Sequence, residues 1–399
     1  MRYPWIANMR RPSVFFTKAA ICHLQTFAMS AKEERPDPQL DSDDDDEEED
    51  LYEAPERHKW EAETLGRVAD FGYDMLRCLY RGHTSVVWSG KARPPLPRNN
   101  VVIKMQTAIG NCSLPTELAV GLASAHPNIA PVVAWHWLEA DGFQICVSVM
   151  DNEDDYIDLA DLIYPTARIT RADWLAGKPH ANGLRKRLCL EILRAVVHLH
   201  DALHLAHRDI KPGNIVVTKD LAKLRIIDYG FSVFLDGWPS PPVPEGARAP
   251  SSPTVAHALG SRWWETGLQR YDVRRHGRMG TLGYMAPETL YCQDDIDLFK
   301  ADMYSVGVVI YEVFFACEPW GTKAFYRDLY YEPVSDARAE TLDDEHWRRF
   351  DAKYPLCKSN HVQVDPQAWT MIETLMQSNP KTRPTASQAL AMFQDWLTS

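Results

Sequence analysis

The chain has 399 residues, 45% apolar and 11% aromatic with 13 Trp, ample material for a large core and for about two to three domains. Its formal charge is −12, but nine acids fall within Asp41–Asp50, and without them the balance is about −3. That near-neutral remainder argues against a nucleic-acid coat and against a polybasic membrane binder.

The eight cysteines are scattered and form no C-x-x-C pair. A secreted disulfide framework or a Cys-rich zinc module would bring them closer, so the expected setting is intracellular, cytoplasmic or nuclear. The longest apolar stretch, Val306–Cys317, contains Glu312 and is too short to span a bilayer.

Residues 1–32 carry Arg2, Arg10, Arg11, Lys18 and Lys32 without an acid, as a mitochondrial transit peptide would. The amphipathic pattern around Phe15–Phe27 is weak, however. An unstructured leader, or synthesis starting at Met29, is the alternative. From Ser30 to about Thr64 the chain is polar and acidic and cannot bury enough surface to offset its ordering entropy. Residues 1–64 are therefore expected to be a disordered leader and acidic tail. The Asp/Glu run reads as solvated, with docking of a basic partner as the other reading.

Order is expected from near Gly72. Tyr73–Tyr80, Val86–Lys91 and Val101–Met105 read as strands, with a turn at Arg81–Ser85, and Phe143–Met150 is a further strand-like run. Helices are expected beyond. Leu184, Leu188, Ile192, Val196, Leu199 and Leu203 recur at steps of three or four and mark one helix face. Asp302–Cys317 is apolar nearly all round, as in a helix buried within a bundle. Between them Trp238–Pro253 holds six prolines in sixteen residues and is a loop. His200 and His204 share a helix face, but no third metal ligand is indicated and packing is the simpler reading.

The chemistry concentrates in His207-Arg208-Asp209-Ile210-Lys211-Pro212-Gly213-Asn214, followed by Asp228-Tyr229-Gly230. Phosphoryl transfer needs a carboxylate near the acceptor hydroxyl, metal ligands, and a cation for developing charge. Asp209, the Asn214–Asp228 pair and Lys211 supply those types. Val216–Val217 and Leu224–Ile227 read as a short hairpin that sets Asp228 beside Asn214.

On these residues the sequence resembles the eukaryotic protein kinase family, from about Phe71 to Leu397. Further landmarks follow in order: Val101-Val102-Ile103-Lys104, Ala286-Pro287-Glu288, Asp302-Met303-Tyr304-Ser305-Val306-Gly307, and Arg383 within Asn379–Pro384. The resemblance implies an α+β, two-lobed kinase fold. A β-rich N-lobe would cover residues 65–151 and a helical C-lobe residues 152–399, with a proline-rich insertion at about 236–276.

The resemblance also implies ATP and Mg²⁺ as cofactors and proteins as substrates. Asp209 would be the catalytic base, and Lys211 would neutralise the γ-phosphate. Asn214 and Asp228 would hold Mg²⁺, and Lys104 would contact the α- and β-phosphates. Gly82 and Val87 belong to the glycine-rich frame, while Met150 and Asp151 lead into the linker where adenine binds. Gly280-Thr281-Leu282-Gly283-Tyr284, together with Lys211, resembles the serine/threonine type.

Departures are visible. The frame Tyr80-Arg81-Gly82-His83-Thr84-Ser85-Val86-Val87 keeps only the middle glycine, which implies either an altered nucleotide grip or a surviving strand–turn–strand. Glu117, thirteen positions after Lys104, is the candidate partner for that lysine, in the first turn of a short helix begun near Ser113 and Pro115. A plain helix-start role is its alternative. Tyr229 stands where phenylalanine is usual and adds a hydroxyl that needs a partner. Arg208 suits activation-loop phosphorylation, yet Arg274–Met279 offers no hydroxyl. Thr266, Tyr271, Ser240 and Ser252 are the candidates, against an unregulated insertion. The rival readings of the whole are a pseudokinase scaffold and a small-molecule phosphotransferase.

Overall fold

A computed structural model describes residues 59–82, 85–94, 96, 100–107, 116–152, 156–164, 181–218, 220–235, 279–290, 296–320, 343–356 and 365–398. The leader, the acidic run, the proline-rich segment, Ser113, Pro115 and the candidate phosphorylation sites lie outside the described residues.

The N-terminal part is built on a sheet. Helix α1 (Lys59–Asp70) is followed by β1 (Tyr73–Arg81), β2 (Ser85–Ala92), β3 (Asn100–Thr107), α2 (Thr116–Ala123), β4 (Val132–Ala140) and β5 (Phe143–Asp151). The five strands are antiparallel in the order β1-β2-β3-β5-β4. Alternation decides the faces. Val101, Ile103 and Met105 are buried on one side of β3, with Val86, Val147 and Val149 in the same cluster. Val102 and Lys104 fall on the other side.

Helix α1 begins inside the stretch whose polarity suggested a disordered tail. Trp60 and Val68 are buried in the cluster on the outer face of the sheet, and this apolar pair anchors an otherwise charged helix. Strand β4 has no clean sequence signal. A register shift between Val132 and Ala134 breaks its alternation.

The C-terminal part is mainly helical. It runs β6 (Tyr156–Asp158), α3 (Leu159–Ile163), α4 (Ala181–Val197), β7 (Leu205–Ala206), β8 (Ile215–Thr218), β9 (Leu224–Ile226), β10 (Val233–Phe234), α5 (Pro287–Leu290), α6 (Leu298–Phe315), α7 (Asp344–Lys353), α8 (Pro366–Leu375) and α9 (Ala386–Thr398). The architecture is thus α+β, sheet-rich first and helical after. The repeating face of α4 is buried through Leu188, Ile192 and Val196, and a π-helical turn at His198–Ala202 continues it to Leu199. Asp297 caps α6 by accepting the Lys300 N–H at 3.1 Å. Among the described residues, no helix is long and apolar enough to cross a membrane.

Two buried polar contacts tie α5 and the segment before it to the other helices. Glu288 accepts a forked pair of bonds from Arg383 at 2.6 and 2.7 Å, and the guanidinium lies over the Tyr304 ring. Glu312, in the last turn of α6, accepts from the Tyr284 hydroxyl at 3.0 Å. Burial pushes the Glu312 carboxyl up to about 8 from its ordinary 4.5, against the pull of the tyrosine hydrogen bonds.

The unfolded chain releases that proton near 4.5 and the folded one near 8. This group's stabilising contribution is therefore complete below the lower value and declines as pH rises towards the upper one. Glu312→Gln keeps the shape without the charge. It should exceed the parent's urea stability by roughly 1–3 kcal/mol at about pH 9 and match it at about pH 5. A gap independent of pH would contradict this account.

Candidate active site

The site grows from a loop between β7 and β8. Asp302, buried in α6, accepts the backbone N–H groups of His207 and Arg208 at 2.7 and 2.8 Å, and meets the His200 imidazole at 2.9 Å. His200 is thus bonded to a carboxylate, and the π-helical turn alters the simple helical spacing to His204. Arg208 is held at φ 68°, a left-handed conformation sustained by the bonds on either side. The His207 ring accepts the Asp209 N–H at Nδ1, so Nε2 carries the proton toward the Ile227 carbonyl at 3.2 Å.

Asp209 is buried within a ring of donors. Asn214 Nδ2 donates to one carboxylate oxygen at 2.8 Å, and Lys211 Nζ lies 2.9 Å from that oxygen. The Thr281 hydroxyl donates to the other oxygen at 2.7 Å and accepts from Lys211 at 2.6 Å. In the sequence Thr281 stands out only as part of the Gly280–Tyr284 element. The structure makes it the link between Asp209 and Lys211.

The hairpin of β8 and β9 joins this loop to Asp228. Ile215 pairs with Ile226, and the Ile227 N–H donates to the Asn214 carbonyl at 2.9 Å. Asp228 thus follows directly beside Asn214, at φ 62°. Tyr229 is buried against His207, and its hydroxyl donates to the Ile226 carbonyl at 2.9 Å. The extra hydroxyl has its partner.

Across from this loop stands Lys104. Its ammonium is paired with Glu117 in the first turn of α2 and lies 3.3 Å from Asp228 Oδ1. Burial works against the Lys104 charge, but Glu117 and then Asp228 outweigh it and hold the ammonium above its ordinary value. Burial would also raise the Asp228 carboxyl, and Lys104 foremost outweighs it and draws that group below its ordinary value. Asp228 keeps 38% side-chain exposure, so one side of it remains open to a ligand.

Strand register puts the other candidates on the Lys104 face. Tyr80 pairs with Val87, Val87 with Lys104, and Val102 with Met150. Asp151 alternates to the other side and lies 3.5 Å from Arg225. Strands β1 and β2 pair on either side of the glycine frame, and the Gly82 N–H donates to the Ser85 carbonyl at 2.8 Å, while His83 and Thr84 lie outside the described residues. A Cβ on Gly82 would come within 2.7 Å of the Tyr80 hydroxyl, so the one retained glycine gives room for the tyrosine that replaced another.

This fold and site define a phosphotransferase-like arrangement, and comparison with known proteins names its class. A protein kinase domain model matches residues 100–396, about three quarters of the chain, and the chain belongs to the protein kinase family. It is 25% identical to eukaryotic translation initiation factor 2-alpha kinase 3 of Bos taurus, over 56% of this chain and 16% of that one. It is 30% identical to eukaryotic translation initiation factor 2-alpha kinase gcn-2 of Caenorhabditis elegans, over 51% and 11%. Against serine/threonine-protein kinase cds1 of Schizosaccharomyces pombe it is 24% identical, over 63% and 44%. The chain thus spans less than half the length of each of these relatives.

Gly280 precedes Thr281 at φ 122°, and a Cβ there would meet the Arg208 carbonyl oxygen at 2.6 Å. Gly280→Ala should destabilise the chain by about 1–3 kcal/mol and speed amide exchange in residues 207–211. Unchanged exchange in that loop would show that Gly280 does not seat it.

Proposed function

We propose that this chain transfers the γ-phosphoryl group of ATP to Ser or Thr hydroxyls of proteins. The observation that carries the reading is the buried Asp209 carboxylate, bridged to Lys211 through Thr281 and joined through Asn214 and the Ile227 N–H to the Lys104–Asp228 pair. Asp209 accepts the proton of the acceptor hydroxyl as its oxygen bonds to phosphorus. The bond from the γ-phosphorus to the bridging oxygen breaks, and ADP leaves with that electron pair. Lys211 neutralises charge on the moving group, and Lys104, kept cationic, holds the α- and β-phosphates.

Asn214 and Asp228 fit Mg²⁺. Asn214 donates through nitrogen to Asp209, so its side-chain oxygen is the metal-type donor, and the half-open Asp228 adds a carboxylate. When bound, Mg²⁺ would neutralise phosphate charge. Two hard oxygen ligands suit an ion that completes its shell with phosphate and water. Adenine would rest beside Val87 and Met150 near Asp151, with the phosphates reaching from there toward Gly82 and Lys104.

Supporting a protein acceptor over a metabolite is the Glu288–Arg383 clamp, which fixes the segment beginning at Thr281. Thr281 beside Lys211 favours Ser/Thr, in line with the similarity to serine/threonine-protein kinase cds1 of Schizosaccharomyces pombe.

The test is labelled-phosphate transfer from Mg·ATP to a panel of Ser/Thr proteins, with Asp209→Ala alongside. Transfer should fall at least about 10²-fold in the variant while ATP binding persists. Binding without transfer in the parent would favour a scaffold. Transfer only to metabolites would overturn the protein-acceptor reading.

A further inference from the structure

The matched kinase region begins at residue 100, so α1 and the β1–β2 hairpin precede it. They are nevertheless bonded into one unit. Glu61, on α1, is only 7% exposed despite its charge. One carboxylate oxygen accepts from the Trp88 indole N–H on β2 at 3.1 Å, and the other is ion-paired with Arg81 at the end of β1. The Arg81 guanidinium lies near the Trp88 ring face, 5.9 Å from its centre. Glu61 therefore contacts both strands of the hairpin, at Arg81 beside Gly82 and at Trp88 farther along β2.

Helix α1 is itself fixed at three further places. Trp60 and Val68 are buried under the sheet's outer face. Glu63 accepts the Asp141 N–H at 3.1 Å, in the turn joining β4 and β5. Arg93, just after β2, donates to the Ala69 carbonyl. The brace is thus anchored on the far edge of the sheet as well as on the hairpin it holds.

A turn with several glycines can drape its backbone over phosphates but loses much entropy in doing so. Here the frame keeps one glycine, and an external carboxylate fixes the two strands that flank it, which lowers the entropy lost when they bind a nucleotide. We propose that Glu61 is a positioning residue for nucleotide binding. By fixing Arg81 and Trp88 it holds strands β1 and β2, with Gly82 and Val87, against the nucleotide. The inference rests on the ATP-dependent reading above.

The test uses the full chain and calorimetric binding of Mg·ATP, with KM for ATP, KM for the protein acceptor, kcat and thermal melting. Glu61→Ala should raise the Kd and KM for ATP about tenfold and leave the acceptor KM within about twofold. Glu61→Gln, which keeps one acceptor oxygen, should fall between. Should Glu61→Ala not fold, Trp88→Phe removes one donor while keeping the ring, and it should weaken ATP in the same selective way.

Folded variants with parental ATP affinity would overturn the inference alone. Equal losses in ATP and acceptor binding that follow the melting temperature would reduce Glu61 to a structural contact and overturn it too. A parent chain that binds no Mg·ATP would overturn both the inference and the function on which it rests.

Discussion

The site depends on the buried carboxylate of Asp302. It lies on α6, the helix around which the C-terminal core packs, and it takes the N–H groups of two successive loop residues together with a histidine. Two adjacent backbone donors can converge on one carboxylate only if the chain between them turns sharply. Their directions are set by the dihedrals of His207, and Arg208 then turns the chain onward in a left-handed conformation at φ 68°. The next residue is Asp209, whose position is therefore set by the core of the domain and not by its own contacts alone.

From that point a continuous series of bonds crosses to the sheet. Asn214 holds Asp209 and receives the Ile227 N–H through its carbonyl, Asp228 follows, and Lys104 links Asp228 to Glu117. A second link runs beside it. Ile226 donates to the Asn128 carbonyl at 2.8 Å, and the Asn128 side chain donates to Leu224 at 2.9 Å. The same hairpin thus fixes Asp228 and carries the loop before β4. In these links Glu117, Asn128 and Asn214 are buried and paired, as expected where unpaired polar groups are costly, while Asp228 keeps one side open.

Much of this was legible in the sequence because it is written in short spacings. Strands β1, β2, β3 and β5, the faces of α4 and α6, and the hairpin ahead of Asp228 follow from alternation, helical period and turn residues. The ordered landmarks also brought Lys104, Glu117, Asp209, Asn214 and Asp228 into one candidate set. Other features depend on contacts between distant residues. Helix α1 is polar enough to read as tail, and its order comes from a few apolar side chains and from Glu61 meeting Arg81 and Trp88. The double contact of Thr281 needs the chain to return from seventy residues away. The π-helical turn that places His200 on Asp302 has no local signal.

The most direct measurement is the structure of the chain with Mg²⁺ and a non-hydrolysable ATP analogue. The account predicts the triphosphate between Lys104 and Asp228 beneath the Gly82 turn, with metal on Asn214 and Asp228. A nucleotide bound elsewhere, or a metal held without those two residues, would contradict it.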